Sequence, residues 1–326
     1  MVVINKYIHI GKIILCLGGI ALILCVFFFL FGVQDFSIAQ REKAHKFGAS
    51  YMTMNNPFYS VVNDEIRAVV EANGDYLITR DPELNAERQT EQIYDLIAEG
   101  VEAIFVAPVD YKAILPAIQK AKEKGIKIIN VDTGLYDENL VDCSVVSDNY
   151  EAGVQCAEYL MKQKKKANIV LLEHSTTKSG VDRINGFIDT LEQNSNYTIV
   201  AREQCKGQLE YAMPAMQKVI EEGIEFDTVF TLNDPSALGA MAALEENEIL
   251  EQVDVLGVDG APEAKSMIKE EIMLATSAQF PTKIGQIAVE QLYYILDGKE
   301  YEKNVIVPVV LINRDNVMEY GVDGWQ

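Results

Sequence analysis

Positive charge is what this sequence has least of. Its 28 lysines and arginines stand against 49 aspartates and glutamates, a formal net charge of −21 over 326 residues. Lys6, Lys12 and Asp35 are the only charges in residues 1–39, so everything after them carries −22. A body this acidic repels nucleic acid and favours solubility, and no basic stripe or basic tail offsets it. Histidine is scarce too, with only His9, His45 and His174. Of five cysteines, Cys16 and Cys25 fall in an N-terminal apolar run. The other three, Cys143, Cys156 and Cys205, are odd in number and lack CxxC spacing. They do not support a disulfide framework, they leave one bridge open, and they suit buried thiols used as small apolar residues. No GxGxxG follows a strand pattern, and there is no P-loop, no HExxH and no GxSxG elbow. Cys205 has no base close to it in sequence. Nothing points to a catalytic residue, a cofactor or a metal, and the chain reads as a non-enzyme.

One long apolar run is present. Residues 13–33 are 21 in number and carry no charge. At about 1.5 Å per residue, a helix of that length spans a hydrocarbon core of roughly 30 Å. Lys6 and Lys12 precede it, which places residues 1–12 in the cytoplasm and the acidic body outside. The expectation is a single-pass cell-membrane protein with 13–33 as a transmembrane helix and 34–45 as a polar stalk. Two alternatives stand beside it. Cleavage after Ser37-Ile38-Ala39 would release a secreted or periplasmic body, although the apolar core exceeds the usual ~7–15 residues of a signal peptide. A lipoprotein signal would use Cys25 or Cys16, although Leu24 and Leu15 occupy the place where such processing needs a small residue.

From residue 47 a repeating βα pattern begins. Strands are predicted at 47–54, 76–79, 103–107, 126–131 and 140–146, with helices at 60–72, 86–99 and 113–124. The pattern restarts with helix 150–163, strand 168–172, helix 181–194, strand 198–202, helix 211–222, strand 228–231, helix 236–246 and strand 253–258. Helix 261–269, strand 273–278, helix 283–296 and strand 304–310 complete it. Such alternation implies α/β architecture with parallel sheets covered on both faces, which explains strands apolar on both sides. Two arrays of about 100–130 residues are consistent with two doubly wound, Rossmann-like domains. No Gly/Ser/Pro linker separates them, so several segments are expected to cross between them as a hinge.

Polar residues follow several predicted strands, where open α/β sheets present ligand groups. They are Asn56, Asp132, Asn233 with Asp234, Asp259 and Gln279. For any one of them the plainer reading is a turn former or helix N-cap, and Asp234 before Pro235 and Ser236 fits an N-cap best. The repetition across both arrays favours a shared cleft. Asn56 lies in Asn55-Asn56-Pro57-Phe58-Tyr59, whose two aromatics read either as helix-anchoring core or as ring-facing walls. Carboxylates accept hydrogen bonds from paired hydroxyls, and Asn and Gln both donate and accept. With aromatic faces, that is the chemistry a polyhydroxylated ring requires. Arg183 falls at the start of a predicted helix, where a cation opposes the helix dipole; it is either solvated or turned to a ligand. His174 lies in the loop before that helix and could reach the cleft, although a lone histidine is usually not a ligand. Met213, Met216, Met241 and Met267 read as core fillers.

These residues carry a resemblance. Met54-Asn55-Asn56-Pro57-Phe58-Tyr59, Val131-Asp132, Ser147-Asp148-Asn149, Arg183 with Gly186-Phe187, Asn233-Asp234 with Ala237-Leu238-Gly239, Gly257-Val258-Asp259-Gly260 and Ala278-Gln279 occur in matching order and spacing. Over residues 46–312 the chain resembles the type I periplasmic sugar-binding proteins, the ribose-binding-like components of ABC importers. The resemblance implies two lobes, 46–146 plus 280–308 and 147–279 plus 309–326, with a three-segment hinge near Val146, Gln279 and Pro308. It implies a ligand between the lobes, met by Asn56, Phe58, Tyr59 and Asp132 from one side and by Arg183, Asn233, Asp259 and Gln279 from the other. Two departures stand out. Thr133 replaces the arginine that follows the aspartate in ribose binders, and Gln204-Cys205-Lys206-Gly207 has no aromatic where the second ring wall belongs, a part Tyr211 could take. Thr133, Tyr211 and His174 are therefore secondary candidates. The same fold serves LacI-type repressors, but a membrane segment and an acidic body argue against DNA binding.

The expectation is an extracytoplasmic, monomeric receptor that captures a monosaccharide or related polyol and delivers it to an ABC permease. The alternative is a membrane-anchored sensor that presents the ligand to a histidine kinase or chemoreceptor. A hydrolase or isomerase on the same scaffold is a distant third.

Overall fold

A computed structural model describes residues 44–192 and 194–326. The expected transmembrane helix 13–33, the stalk up to residue 43, Cys16, Cys25 and the cleavage site at Ala39 lie outside the described residues. No described helix is long and apolar enough to cross a membrane.

Residues Lys46–Gln326 form one unit built on two sheets. The strands in chain order are β1 (Lys46–Ser50), β2 (Tyr76–Arg80), β3 (Ala103–Val106), β4 (Lys127–Asp132), β5 (Cys143–Ser147), β6 (Ala167–Glu173), β7 (Tyr197–Gln204), β8 (Thr228–Thr231), β9 (Asp254–Asp259), β10 (Ala275–Ala278), β11 (Asn304–Val307) and β12 (Val310–Asn313). The first sheet runs β2-β1-β3-β4-β5-β11 and the second β7-β6-β8-β9-β10-β12. The two orders repeat each other, except that β11 is parallel to β5 while β12 is antiparallel to β10. Each sheet reverses its winding beside its first strand, and such switch points open a crevice at the carboxyl strand ends.

The two-sided apolar strands follow from burial on both faces. In the first sheet Phe105 and Ile129 point into one core, and Ile104 and Ile128 into the other. In the second, Val229 and Val255 face one core while Phe230 and Leu256 face the opposite one. Alternation with period two assigns them. Phe187 stacks on Phe230 at 4.0 Å between ring centroids. Cys143, Cys156 and Cys205 are buried free thiols.

Three segments cross between lobes. The chain leaves β5 for helix Asn149–Gln163, which packs in the second lobe. It returns after β10 into helix Pro281–Leu296, which packs against the first core. It crosses again between β11 and β12. The single strand expected at 304–310 is thus two strands in different sheets, because Pro308 cannot continue a ladder and the chain changes lobe there. Several helices start earlier than expected, at Pro57, Asp234 and Pro281. Their first turns hold a proline, whose missing N–H costs nothing there. Several strands start or stop short of expectation, and β10 begins only at Ala275. β1 ends at Ser50, and β5 begins only at Cys143, after a 3-10 turn Glu138–Leu140 capped by Asp137.

Helix Asn149–Gln163 crosses helix Lys178–Leu191 at backbone distance. A Cβ at Gly153 would meet the Arg183 carbonyl, and one at Gly186 would meet the Tyr150 carbonyl. Backbone cannot yield as a flexible side chain can. Gly153→Ala or Gly186→Ala is expected to cost about 2 kcal/mol or more, measured by urea unfolding. A loss under roughly half a kilocalorie would show that the helices can part freely.

Candidate functional site

The carboxyl ends of the two sheets face each other across a cavity. The lobes meet around it. Thr133 Oγ1 in the first lobe accepts from the Ser179 N–H of the second at 3.0 Å, the Tyr111 N–H donates to the Thr176 carbonyl at 3.1 Å, and Asn55 Nδ2 donates to Glu210 Oε1 at 3.0 Å. The described form is closed.

Each sheet contributes a carboxylate from the last residue of its fourth strand in sequence. Asp132 ends β4 with φ 64°, and Asp259 ends β9 with φ 136°. Non-glycine residues rarely take positive φ, and aspartate tolerates the left-handed region that Asp132 occupies better than most. Both side chains are buried. Between them lies Arg183, also buried, on the helix Lys178–Leu191 that Thr177 caps. Its Nη1 reaches Asp259 Oδ1 at 3.3 Å and donates to the Leu232 carbonyl at 3.0 Å, and its Nη2 stands 4.0 Å from Asp132 Oδ1. Asn149 Oδ1 accepts from its Nε at 2.8 Å. Tyr59 donates its hydroxyl to Asp132 Oδ2 at 2.7 Å, and Gln279 Nε2 donates to Asp259 Oδ1 at 2.7 Å.

Burial raises both carboxyls, and the guanidinium opposes it. For Asp132 the opposing groups are Arg183 and the Tyr59 hydrogen bond. Asp259 is pushed up to about 7 by burial, with Arg183 and Gln279 opposing and Asp132 adding to the rise. Asp234, beneath the cavity, is raised well above the ordinary range by burial and then by Asp259. His174 is lowered to about 4 by burial and by Lys206, so it is neutral at pH 7. The polar groups left for a ligand include two side-chain amides. Gln279 Oε1 is buried without a partner among the described residues. Asn56 spends its side-chain oxygen on the Phe58 N–H at 3.0 Å, which leaves its Nδ2 facing the cavity. Phe58, Met52, Leu84 and Leu232 supply apolar wall. Among the described residues no group of three or more His, Cys, Asp or Glu side chains could hold a metal.

The structure brings Asn56, Phe58, Tyr59, Asp132, Arg183, Asn233, Asp259 and Gln279 together, with His174, around one cavity. It corrects four expectations. Arg183 is the sixth residue of its helix, not part of the first turn, and it is buried, so neither the dipole argument nor a solvated side chain applies. The N-cap of helix Asp234–Glu246 is Asn233, which accepts from the Ser236 N–H at 3.2 Å and donates to the Gly207 carbonyl at 2.9 Å. Asp234 is a buried brace instead, accepting from Ala261 N–H at 2.8 Å and Thr276 Oγ1 at 2.7 Å. Thr133 does not line the cavity because its hydroxyl joins the lobes. Tyr211 is exposed under the Lys206 ammonium and is no second ring wall. Several residues escaped the sequence reading, among them Lys206, Gln208, Leu84 and Asn149. Asn149 orients Arg183 and was visible only as part of a helix cap, a role that Asp148 takes by accepting from the Glu151 N–H. Leu84 enters the cavity from a loop with φ 60°, a placement without local signal.

A family model described as periplasmic binding protein domain matches residues 47–300. The ribose import binding protein RbsB of Bacillus subtilis is 29% identical over 272 residues, covering 83% of this chain and 88% of that protein. An ABC transporter solute binding protein from Bacillus halodurans with bound myo-inositol has a TM-score of 0.79 at 25% identity, covering 85% of this chain and 96% of its own. Another from Mycobacterium smegmatis, with bound glycerol, has a TM-score of 0.81 at 27% identity, covering 86% and 98%.

The raised carboxyls predict a pH dependence of stability. A carboxyl whose folded pKa lies above its unfolded value binds more protons when folded, so its contribution is fully present below the unfolded pKa and is lost as pH rises through the folded one. For Asp259 that window extends up to about pH 7. The melting temperature of the ligand-free chain is expected to fall between pH 6 and pH 8, and Asp259→Asn to flatten the fall. An unchanged slope in the variant would place the titration elsewhere.

Proposed function

The chain belongs to the periplasmic binding protein domain family, and we propose that it captures a neutral monosaccharide or related polyol between its lobes and hands it to an ABC-type importer. The observation that carries this reading is the Asp132–Arg183–Asp259 cluster, two acceptors and a donor fixed across the cleft beside an aromatic wall. Charged acceptors give strong, directional bonds to hydroxyls, and ring faces cover the C–H faces of a sugar. Gln279 Oε1 and Asn56 Nδ2 add one further acceptor and one further donor. The relatives' named ligands, ribose, myo-inositol and glycerol, are all neutral polyols. Thr133 and the exposed Tyr211 argue against ribose held in the usual manner.

The mechanism is capture and closure, with no bond made or broken in the ligand. Asp132 and Asp259 accept from hydroxyls while Arg183, oriented by Asn149, opposes the rise that burial imposes on both carboxyls. Closure about the three crossings brings Asp132 from one lobe to Arg183 from the other. The body works on the extracytoplasmic side, held there by residues 13–33.

In a thermal-shift panel of pentoses, hexoses, furanoses, polyols and inositols, at least one compound is expected to stabilise the chain by ~4 kcal/mol at about 1,000 times its Kd. No response to any of them would overturn the reading. Asp132→Ala and Asp259→Ala are each expected to weaken binding of that compound by about 2–3 kcal/mol, roughly 30- to 150-fold. A loss under half a kilocalorie, about twofold, would mean the site is elsewhere. The whole chain is expected to stay with membranes through a salt wash and to leave with detergent. A soluble product beginning at Gln40 would establish cleavage after Ala39.

A further inference from the structure

The stretch that follows the short helix Val317–Tyr320 ties one lobe to the other without adding a strand. Lys265, on helix Pro262–Lys269 of the second lobe, is completely buried and donates from Nζ to the Gly324 carbonyl at 2.6 Å. The Gln326 side chain lies against Lys265 and Gly260 of the same lobe. Residues 324–326 are therefore pinned to the second lobe. Trp325 stands between those two anchors. It packs against the core of the second lobe and also against that of the first. On the first-lobe side its ring meets Phe58 edge-on, with centroids 5.7 Å apart at 76°. Phe58 meets Tyr59 edge-on at 5.5 Å and 87°, and Tyr59 holds Asp132 through its hydroxyl.

We propose that Trp325 is a positioning residue for the binding cavity: carried by the second lobe, it sets the place of the Phe58 wall in the first. The inference rests on the polyol-binding reading given above. Trp325 does not line the cavity, so it acts through Phe58. An aromatic ring packed behind a wall side chain excludes water there and removes the room in which that side chain could turn. Because Trp325 moves with one lobe and Phe58 with the other, their contact responds to the angle between lobes. The Phe58–Tyr59 contact then passes that response to the hydroxyl that holds Asp132. Closure and the preparation of the first-lobe half of the site become one event.

Trp325 is the one tryptophan of the chain, so its emission reports the contact directly. In the full chain without ligand, Phe58→Ala is expected to move that emission to the red as water reaches the ring, and an unchanged spectrum overturns the contact. The amides of residues 58–62 are expected to exchange roughly tenfold faster in Trp325→Ala and to recover in Trp325→Phe, which keeps a ring able to meet Phe58. Equal exchange in all three proteins overturns the positioning role. For whichever polyol the panel identifies, Trp325→Ala is expected to weaken binding about three- to tenfold and Trp325→Phe to restore most of it. Binding equal to that of the unaltered chain overturns the coupling to the site. If no polyol binds the unaltered chain, the reading of the cavity fails on its own, while emission and exchange still decide what Trp325 does.

Discussion

The buried guanidinium of Arg183 is the group on which the rest of the architecture depends. A charge taken out of water is costly unless partners surround it, and here the partners come from several elements. Asp132 belongs to the first lobe, Asp259 and the Leu232 carbonyl to the second, and Asn149 to the first crossing. The arrangement runs in both directions. The two carboxyls, already raised by burial, are kept from rising further by the cation between them. Arg183 in turn holds its place because its helix crosses helix Asn149–Gln163 at backbone distance, with Gly153 against the Arg183 carbonyl itself. A glycine pair in a helix crossing is therefore a condition of the chemistry in the cleft.

Closure sets a second constraint. The bonds that join the lobes, Thr133 to Ser179 and Asn55 to Glu210 among them, use up polar groups that the sequence offers to a ligand. What is left facing the cavity is a short set of donors and acceptors beside apolar walls. The wall of the second lobe at this site is aliphatic, with Leu232 present and Tyr211 turned to solvent. One aromatic face with charged acceptors suits a hydroxylated ring gripped mainly at its edge.

Legibility differed from one residue to the next for identifiable reasons. Asp132, Asp259 and Gln279 could be found because each stands at the end of a predicted strand, and strand ends are conspicuous in a βα repeat. Asn233 and Asp234 exchanged roles, since either can cap a helix and only contacts from Ala261 and Thr276, far along the chain, show that Asp234 turns inward. The helices begin ahead of the residues where their apolar periodicity sets in, because their first turns hold a proline at Pro57, Pro235 and Pro281. The strand broken at Pro308 was read as continuous, for its two halves look alike in hydrophobicity and differ only in the sheet they join. Leu84 and Trp325 had no local mark at all.

By itself the sequence determined the βα alternation, the two sheets buried on both faces, the acidic body and the polar strand ends. All of these follow from periodicity and composition, which act over a few residues. Tertiary structure decided which of the polar groups face the cavity, which join the lobes and which brace the core. It also decided that Arg183 is buried between two acids and that Trp325 lies behind Phe58. Such assignments depend on residues tens to hundreds of positions apart meeting at one angle between two lobes, and that angle is set by packing around three crossings and is written in no single segment of the chain.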